Sequence, residues 1–273
     1  MKTLHPSKVI SVVCLILVCL IVTAGSAFAA SFQEVYKKAK KGDVEAQNSL
    51  GVMYAKGDGV RQSYIEAVKW YRKAAEKGYA EAQCNIGVMY VNGLGVAQDY
   101  TEALKWFRRA AGQNLAMAQF HLGLMYYQGN GVKASKVEAA SWFRKAALNG
   151  YAEAQNTLGG MYEHGVGVKL DKSIAADWFR KAAEQGLARA QFNLGLKYEN
   201  GNGVSESKSE AFKWYLKAAK QGHADAQFSV GLLYYMGEGV EESKSEAINW
   251  MRQAARQGVK EAQSALRTIG ETW

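Results

Sequence analysis

Apolar and small residues recur along this chain with the period of an α-helix. Ala46, Leu50, Met53 and Tyr54 are spaced i, i+4, i+7 and i+8, which predicts an amphipathic helix with one buried stripe. A second stripe, Ala67, Trp70, Tyr71, Ala74 and Ala75, predicts a second helix whose outward positions are Lys69, Arg72, Lys73 and Glu76. Between the two lies Gly57-Asp58-Gly59-Val60, where glycines supply the positive φ values that end one helix and turn the chain. Ser63 is placed to cap the second helix, with Glu66 three residues on completing a capping box, and Gly78 closes it. Gly51 falls inside the first helix at a propensity loss of about 1 kcal/mol, which close approach of the second helix would explain.

This unit repeats in steps of 36 residues. Ala-Gln pairs stand at Ala46-Gln47, Ala82-Gln83, Ala118-Gln119, Ala154-Gln155, Ala190-Gln191, Ala226-Gln227 and Ala262-Gln263, and Trp70, Trp106, Trp142, Trp178, Trp214 and Trp250 keep the same step. The internal glycine returns at Gly87, Gly123, Gly159, Gly195 and Gly231, and the Gly-x-Gly-Val loop at Gly93, Gly129, Gly165, Gly201 and Gly237. Polar caps follow at Asp99, Ser135, Asp171, Ser207 and Ser243, with Ile174 alone breaking the series of glutamates three residues later. A fixed period of this length predicts an all-α solenoid, in which each unit buries its apolar face only by stacking on copies of itself.

The combination Ala-x-x-x-Leu-Gly-x-x-Tyr, Gly-x-Gly-Val, polar cap, Ala-x-x-Trp-(Tyr/Phe)-x-(Lys/Arg)-Ala-Ala and closing Gly resembles the Sel-one-like repeat (SLR) family, relatives of the tetratricopeptide repeat with a longer loop. The resemblance covers 43–258 as six units: 43–78, 79–114, 115–150, 151–186, 187–222 and 223–258. It implies a right-handed superhelical α-solenoid with first helices lining a concave side and second helices a convex one. Residues 30–42 match only a second helix and 259–273 only a first helix, so both are expected to cap the array.

The ends modify this picture. Lys2 and Lys8, the apolar run Val9–Val22 and the small-x-small tract Ala27-Phe28-Ala29 have the layout of a secretory signal peptide over 1–29, cut after Ala29. The apolar run is shorter than the roughly 20 residues that span hydrocarbon. Cleavage would remove Cys14 and Cys19, leaving Cys84 with no disulfide partner, and the exported chain would carry no transmembrane segment. It would keep 32 basic residues against 25 acidic ones. Outside the cytoplasm that excess is expected to meet anionic lipid, polysaccharide or acidic protein rather than nucleic acid.

With Ala46, Leu50 and Tyr54 buried, positions equivalent to 45, 48, 52 and 55 face the opposite way. Several units put large apolar groups there: Phe120, Leu124 and Tyr127; Phe192 and Leu196; Phe228, Leu232 and Tyr235. Val52, Val88, Leu124, Leu196 and Leu232 also suit a wedge between neighbouring first helices. Phe120, Phe192 and Phe228, whose counterparts are Asn48, Cys84 and Asn156, suggest instead a hydrophobic groove for a peptide or helix, edged by Glu81, Glu153, Glu163, Glu199 and Asp225. The pairs Arg72-Lys73, Arg108-Arg109, Arg144-Lys145 and Arg180-Lys181 form a basic ladder on the second helices, either a solvated face or an adhesive for anionic surfaces.

Chemistry is sparse. His121, His164 and His223 occupy three different places in the unit and suggest no metal site, and no cofactor motif is present. Ser205-Glu206-Ser207-Lys208 spells the Ser-x-x-Lys of β-lactamases, and some cysteine-rich secreted members of the resembled family bind or hydrolyse penicillins. The paired cysteines of those relatives and the other β-lactamase motifs are missing here. The sequence therefore predicts a secreted or periplasmic, monomeric, non-enzymatic scaffold for a protein or peptide partner. Trp273 stands outside the tryptophan register.

Overall fold

The structure, a computed structural model, describes residues 31–273; the signal segment expected over 1–29 lies outside the described residues. Helices form the regular structure of the described residues. A helix α1 covers 31–40. It is followed by α2 (Val44–Lys56), α3 (Tyr64–Glu76), α4 (Ala80–Asn92), α5 (Tyr100–Gly112), α6 (Ala116–Gln128), α7 (Lys136–Leu148), α8 (Ala152–His164), α9 (Lys172–Glu184), α10 (Ala188–Asn200), α11 (Lys208–Lys220), α12 (Ala224–Met236), α13 (Lys244–Arg256) and α14 (Lys260–Thr268). Even-numbered helices are the first helices of their repeats and odd-numbered ones the second. The fold is an all-α repeat solenoid. It divides into two compact units, one ending at Ala118 and one running Gln119–Trp273.

The same local chemistry builds every repeat. A left-handed glycine ends each of α2, α4, α8, α10 and α12, and its N–H bonds the carbonyl four residues back, as Gly57 does with Met53. Each second helix then starts on a side-chain cap: Ser63 accepts from Glu66 N, Asp99 from Thr101 N and Glu102 N, Asp171 from Ile174 N. The expected capping box is only half formed. The cap's own N–H goes to a tyrosine carbonyl of the first helix, Ser63 N to Tyr54 O at 2.9 Å and Ser207 N to Tyr198 O at 2.8 Å. Three of the box glutamates, Glu66, Glu102 and Glu210, pair instead with the lysine three residues on, at 2.5–2.6 Å.

The internal glycines answer to packing. A Cβ at Gly51 would lie 2.5 Å from the Tyr71 ring, and one at Gly195 2.5 Å from the Tyr215 ring. The first helix therefore rests directly on an aromatic ring of its second helix in five repeats, and in the last Gly231 rests on Met251. In the Gly-x-Gly-Val loops the second glycine has a different constraint, since a Cβ at Gly203 would meet Lys172 O at 2.0 Å, at the start of the preceding second helix.

Stacking along each unit is hydrogen-bonded through the glutamine of the Ala-Gln pair. Gln83 Nε2 donates to Ala75 O at 3.1 Å, and Gln191 Nε2 to Ala183 O at 3.1 Å, although both side chains are buried. From Gln83 to Gln227 the other end of the amide is filled from 30 residues later: Gln113 donates to Gln83 Oε1 at 2.9 Å, Asn149 to Gln119 at 2.9 Å, Gln221 to Gln191 at 2.7 Å. A buried polar side chain is tolerated here because both of its functions are satisfied.

At the C-terminus the array closes on itself. Arginines of the second helices donate to the phenol of the next first helix, as Arg72 does to Tyr90 at 2.7 Å. At the last repeat Gly270 stands where that tyrosine would be, and Arg252 turns to Glu271 and to Thr272 O, both at 2.6 Å. Arg267 then lies 5.0 Å over the ring of Trp273. This gives the out-of-register tryptophan a place in the terminal cap.

Candidate functional site

The first-helix face of the second unit gathers most of the residues singled out above. Tyr127 and Tyr235 are 37% and 41% exposed. Phe120, Leu124, Phe192, Leu196, Phe228 and Leu232 are half-buried rather than fully outward. Phe120 packs 5.3 Å from the Phe143 ring and 5.2 Å from that of Tyr151. Phe192 lies 5.5 Å from Tyr215 and stacks on His223 at 4.7 Å. Phe228 and Leu232 lean on the Met251–Leu266 core. These side chains wedge between repeats while leaving an edge to solvent.

The asparagines at this place have partners that the repeat pattern does not display. Asn48 bonds Asn85 and Asn156 bonds Asn193, both at 2.9 Å and both across 37 residues. At the same offset Phe120, Phe192 and Phe228 face the small residues Thr157, Ser229 and Ala265 in sequence. Amide is matched with amide in both asparagine pairs. Cys84 is fully buried, and burial first, then the charge of Glu81, pushes its thiol up to about 12, which leaves it unreactive.

The expected acidic edge is partly consumed by the fold. Glu163 accepts a short hydrogen bond from Lys197, a lysine buried in the series Met53, Met89, Met125, Met161 and Leu233. That lysine is legible in the sequence as a break in the series. Glu199 accepts from Tyr215 Oη at 2.6 Å, and burial together with this bond holds the Tyr215 phenol far above its usual range. Glu153 is half-buried, while Glu81 and Asp225 remain exposed. An apolar cavity of about 220 Å³ opens at the end of this face, lined by Leu232, Tyr235, Met251, Ala265, Thr268 and Ile269.

The surroundings of two other groups singled out in the sequence are also defined. The basic ladder is largely engaged in structure: Arg144 bonds Tyr162 Oη, Arg180 bonds Asp177 at 2.7 Å and Tyr198 at 3.4 Å, and Lys73, Lys145 and Lys181 sit 4.0–4.2 Å over Trp70, Trp142 and Trp178. In the Ser-x-x-Lys tract, Ser207 is the cap of α11, and Lys208 lies 3.3 Å from Glu238 and 3.6 Å from Glu199. Partial burial works against its charge, but these carboxylates hold the Lys208 ammonium above its ordinary range. It is thus poorly disposed to act as a base toward Ser205. Among the described residues no group of three or more His, Cys, Asp or Glu could hold a metal, and no helix is long and apolar enough to cross a membrane.

Comparison with known proteins agrees with this architecture. A comparison with curated proteins returned no match. Among solved structures the chain is similar to a protective antigen present in uropathogenic Escherichia coli strains displaying an SLR fold, at 38% identity and TM-score 0.79 over 85% of this chain. It spans only 50% of that protein's length. A Sel1 repeat protein from Oxalobacter formigenes is 32% identical with TM-score 0.71, covering 87% of this chain and 95% of its own. An immunity protein from Pseudomonas aeruginosa, 22% identical with TM-score 0.53 over 78% of this chain and 80% of its own, shares the fold. The Sel1 repeat model matches 44–79, 80–115, 116–151, 152–187, 188–223 and 224–259, and the chain belongs to the Sel1 repeat family, whose members are in general protein–protein interaction scaffolds.

Proposed function

We propose that this chain is an exported, non-enzymatic scaffold of the bacterial envelope or its surroundings that holds a peptide or helix of a protein partner on the first-helix face of its second unit. Export rests on the signal-like layout of 1–29. The observation that carries the binding role is the apolar band on this face. Exposed Tyr127, Tyr235 and Met236 flank half-buried Phe120, Leu124, Phe192, Leu196, Phe228 and Leu232, with an open cavity at one end. Aromatic groups that are partly anchored and partly exposed present contact area at little entropic loss.

The test uses the two exposed tyrosines, because the half-buried phenylalanines also serve packing. The full chain with Tyr127→Ser and Tyr235→Ser should lose capture of envelope or host proteins while its Tm stays within a few degrees of wild type. Undiminished capture would remove this face from the account.

A second reading has one observation behind it. A groove of about 660 Å³ along α3 is lined by Lys40, Lys69, Arg72 and Lys73 beside Tyr36 and Trp70, with Glu66 and Glu76 among them. Weak adhesion to an anionic surface there would vanish above about 0.5 M salt, where exposed charges are screened within a few ångströms.

A further inference from the structure

Two grooves, one in each unit, fall at the same place in the repeat. The first, of about 660 Å³, runs along α3 and includes Trp70 and Lys73; the second, of about 330 Å³, lies on α11 and includes Trp214 and Lys217. Trp214 and Lys217 stand four repeats after Trp70 and Lys73. Each groove is lined by two more cations than carboxylates, four against Glu66 and Glu76 in the first and three against Glu210 in the second.

These charges are not equivalent. Glu66 and Glu210 are taken by Lys69 and Lys213, both at 2.6 Å, and Arg72 is taken by Tyr90. Lys73 and Lys217 have no carboxylate partner among the described residues, and their ammoniums stand 4.1 and 3.7 Å from the ring centres of Trp70 and Trp214. A second unpaired ammonium joins each groove: Lys40, 5.5 Å over the Tyr36 ring, in the first, and Lys220, one turn along α11 from Lys217, in the second. A ring contact holds an ammonium in place yet leaves its charge and its N–H donors available. Like charges one helical turn apart repel, and an anion between Lys217 and Lys220 would relieve that repulsion.

We propose that both grooves hold an acidic polysaccharide, an inference that rests on the adhesive second reading above and names what is held. Carboxylates of the polymer accept from Lys73 with Lys40 and from Lys217 with Lys220. The carbon faces of its sugar rings pack on the apolar lining, Tyr36 and Ile65 in the first groove, Trp214 and Leu216 in the second. A recess of this size admits a narrow chain, whereas a flat bilayer reaches only its edge. The same ammonium-on-tryptophan pair recurs on α7 and α9, Lys145 with Trp142 at 4.0 Å and Lys181 with Trp178 at 4.2 Å. One such cation per repeat suits a polymer whose acidic groups recur at a fixed step, a regularity that acidic protein segments lack.

The test measures binding of the full chain to a polyuronate, to polyglutamate and to vesicles of anionic lipid, at about 0.05 M salt where screening is weak. The polyuronate should bind most tightly. Lys73→Gln with Lys217→Gln should weaken it roughly tenfold, with Tm within a few degrees of wild type because both lysines are exposed. Lys133→Gln with Lys169→Gln removes the same charge at exposed loop lysines outside both grooves and should cost about twofold or less. Equal losses in the two double variants overturn the grooves and leave adhesion by net charge alone. If polyglutamate or vesicles bind as tightly as the polyuronate, adhesion to anions survives and the polysaccharide assignment falls. If none of the three binds, both readings fall.

Discussion

Lys77 stands 30 residues after Gln47, and the Oε1 of that buried glutamine has no hydrogen-bond partner. In the later repeats Gln113, Asn149, Gln185, Gln221 and Gln257 fill the same place and donate to the preceding glutamine. Lys77 instead gives its ammonium to Gly42 O at 2.8 Å. Gln113, Gln221 and Gln257 reach both acceptors at once, Gln221 donating to Gly186 O at 3.0 Å and to Gln191 Oε1 at 2.7 Å. Lys77→Gln should therefore stabilise the first unit by about 1 kcal/mol. Urea titration of the two proteins measures it, and a loss of stability would show that the glutamine ladder contributes little.

Gly159 and Gly160 are adjacent in α8, and they and their equivalents separate packing from propensity. Gly195→Ala should destabilise by about 1–3 kcal/mol, because its Cβ would lie 2.5 Å from the Tyr215 ring. Gly160→Ala meets open space and should stabilise by about 0.5–1 kcal/mol. Thermal unfolding followed by circular dichroism compares the pair, which should shift in opposite directions.

Acid should weaken the second unit through its histidines. His223 Nδ1 accepts from Ala226 N at 3.3 Å as the cap of α12, a role open only to the neutral ring. Burial first lowers its pKa, with Asp225 opposing and Arg189 adding to the effect, and burial lowers that of His121. Both groups protonate more readily when unfolded, so their contribution is complete above the unfolded value near 6.5 and is lost as pH falls from there toward the folded values. Tm should drop between pH 7 and pH 5. His223→Asn keeps a neutral cap and should shrink that drop; an identical pH profile would contradict the assignment.

Lys197 and Glu163 form a pair in which the lysine is sealed and the carboxylate is 28% exposed. Breaking a fully buried pair costs about 3–5 kcal/mol, and the hydration left to Glu163 reduces the expected loss for Glu163→Ala to about 2 kcal/mol. Adding Lys197→Met, which restores the side chain of Met161 and its kin, should recover most of it. A double-mutant cycle by chemical denaturation tests the coupling.

The sequence carried the helices plainly, since Ala46, Leu50, Trp70 and the capping serines each obey a local rule that tertiary packing reinforces. Other roles depended on partners a repeat or more away. Gln83 and Gln113 are 30 residues apart, and Asn156 and Asn193 are 37 apart, offsets that a 36-residue pattern does not display. The basic ladder shows the same dependence: Arg72 lies outward on its own helix, and its guanidinium crosses to Tyr90 on the next. Phe120 and Phe192 read as exposed from helix geometry because the aromatic neighbours Tyr151 and His223 come from following repeats.

The central claim is that the first-helix face of the second unit binds the partner. Methyl and amide NMR of the isotopically labelled chain, titrated with a peptide selected on the chain from a random-peptide phage library, tests it most directly. Perturbations should concentrate at the methyls of Leu124, Leu196 and Leu232 and the amide of Gly160. Perturbations confined to α3 and its basic groove, with the first helices of the second unit silent, would contradict it.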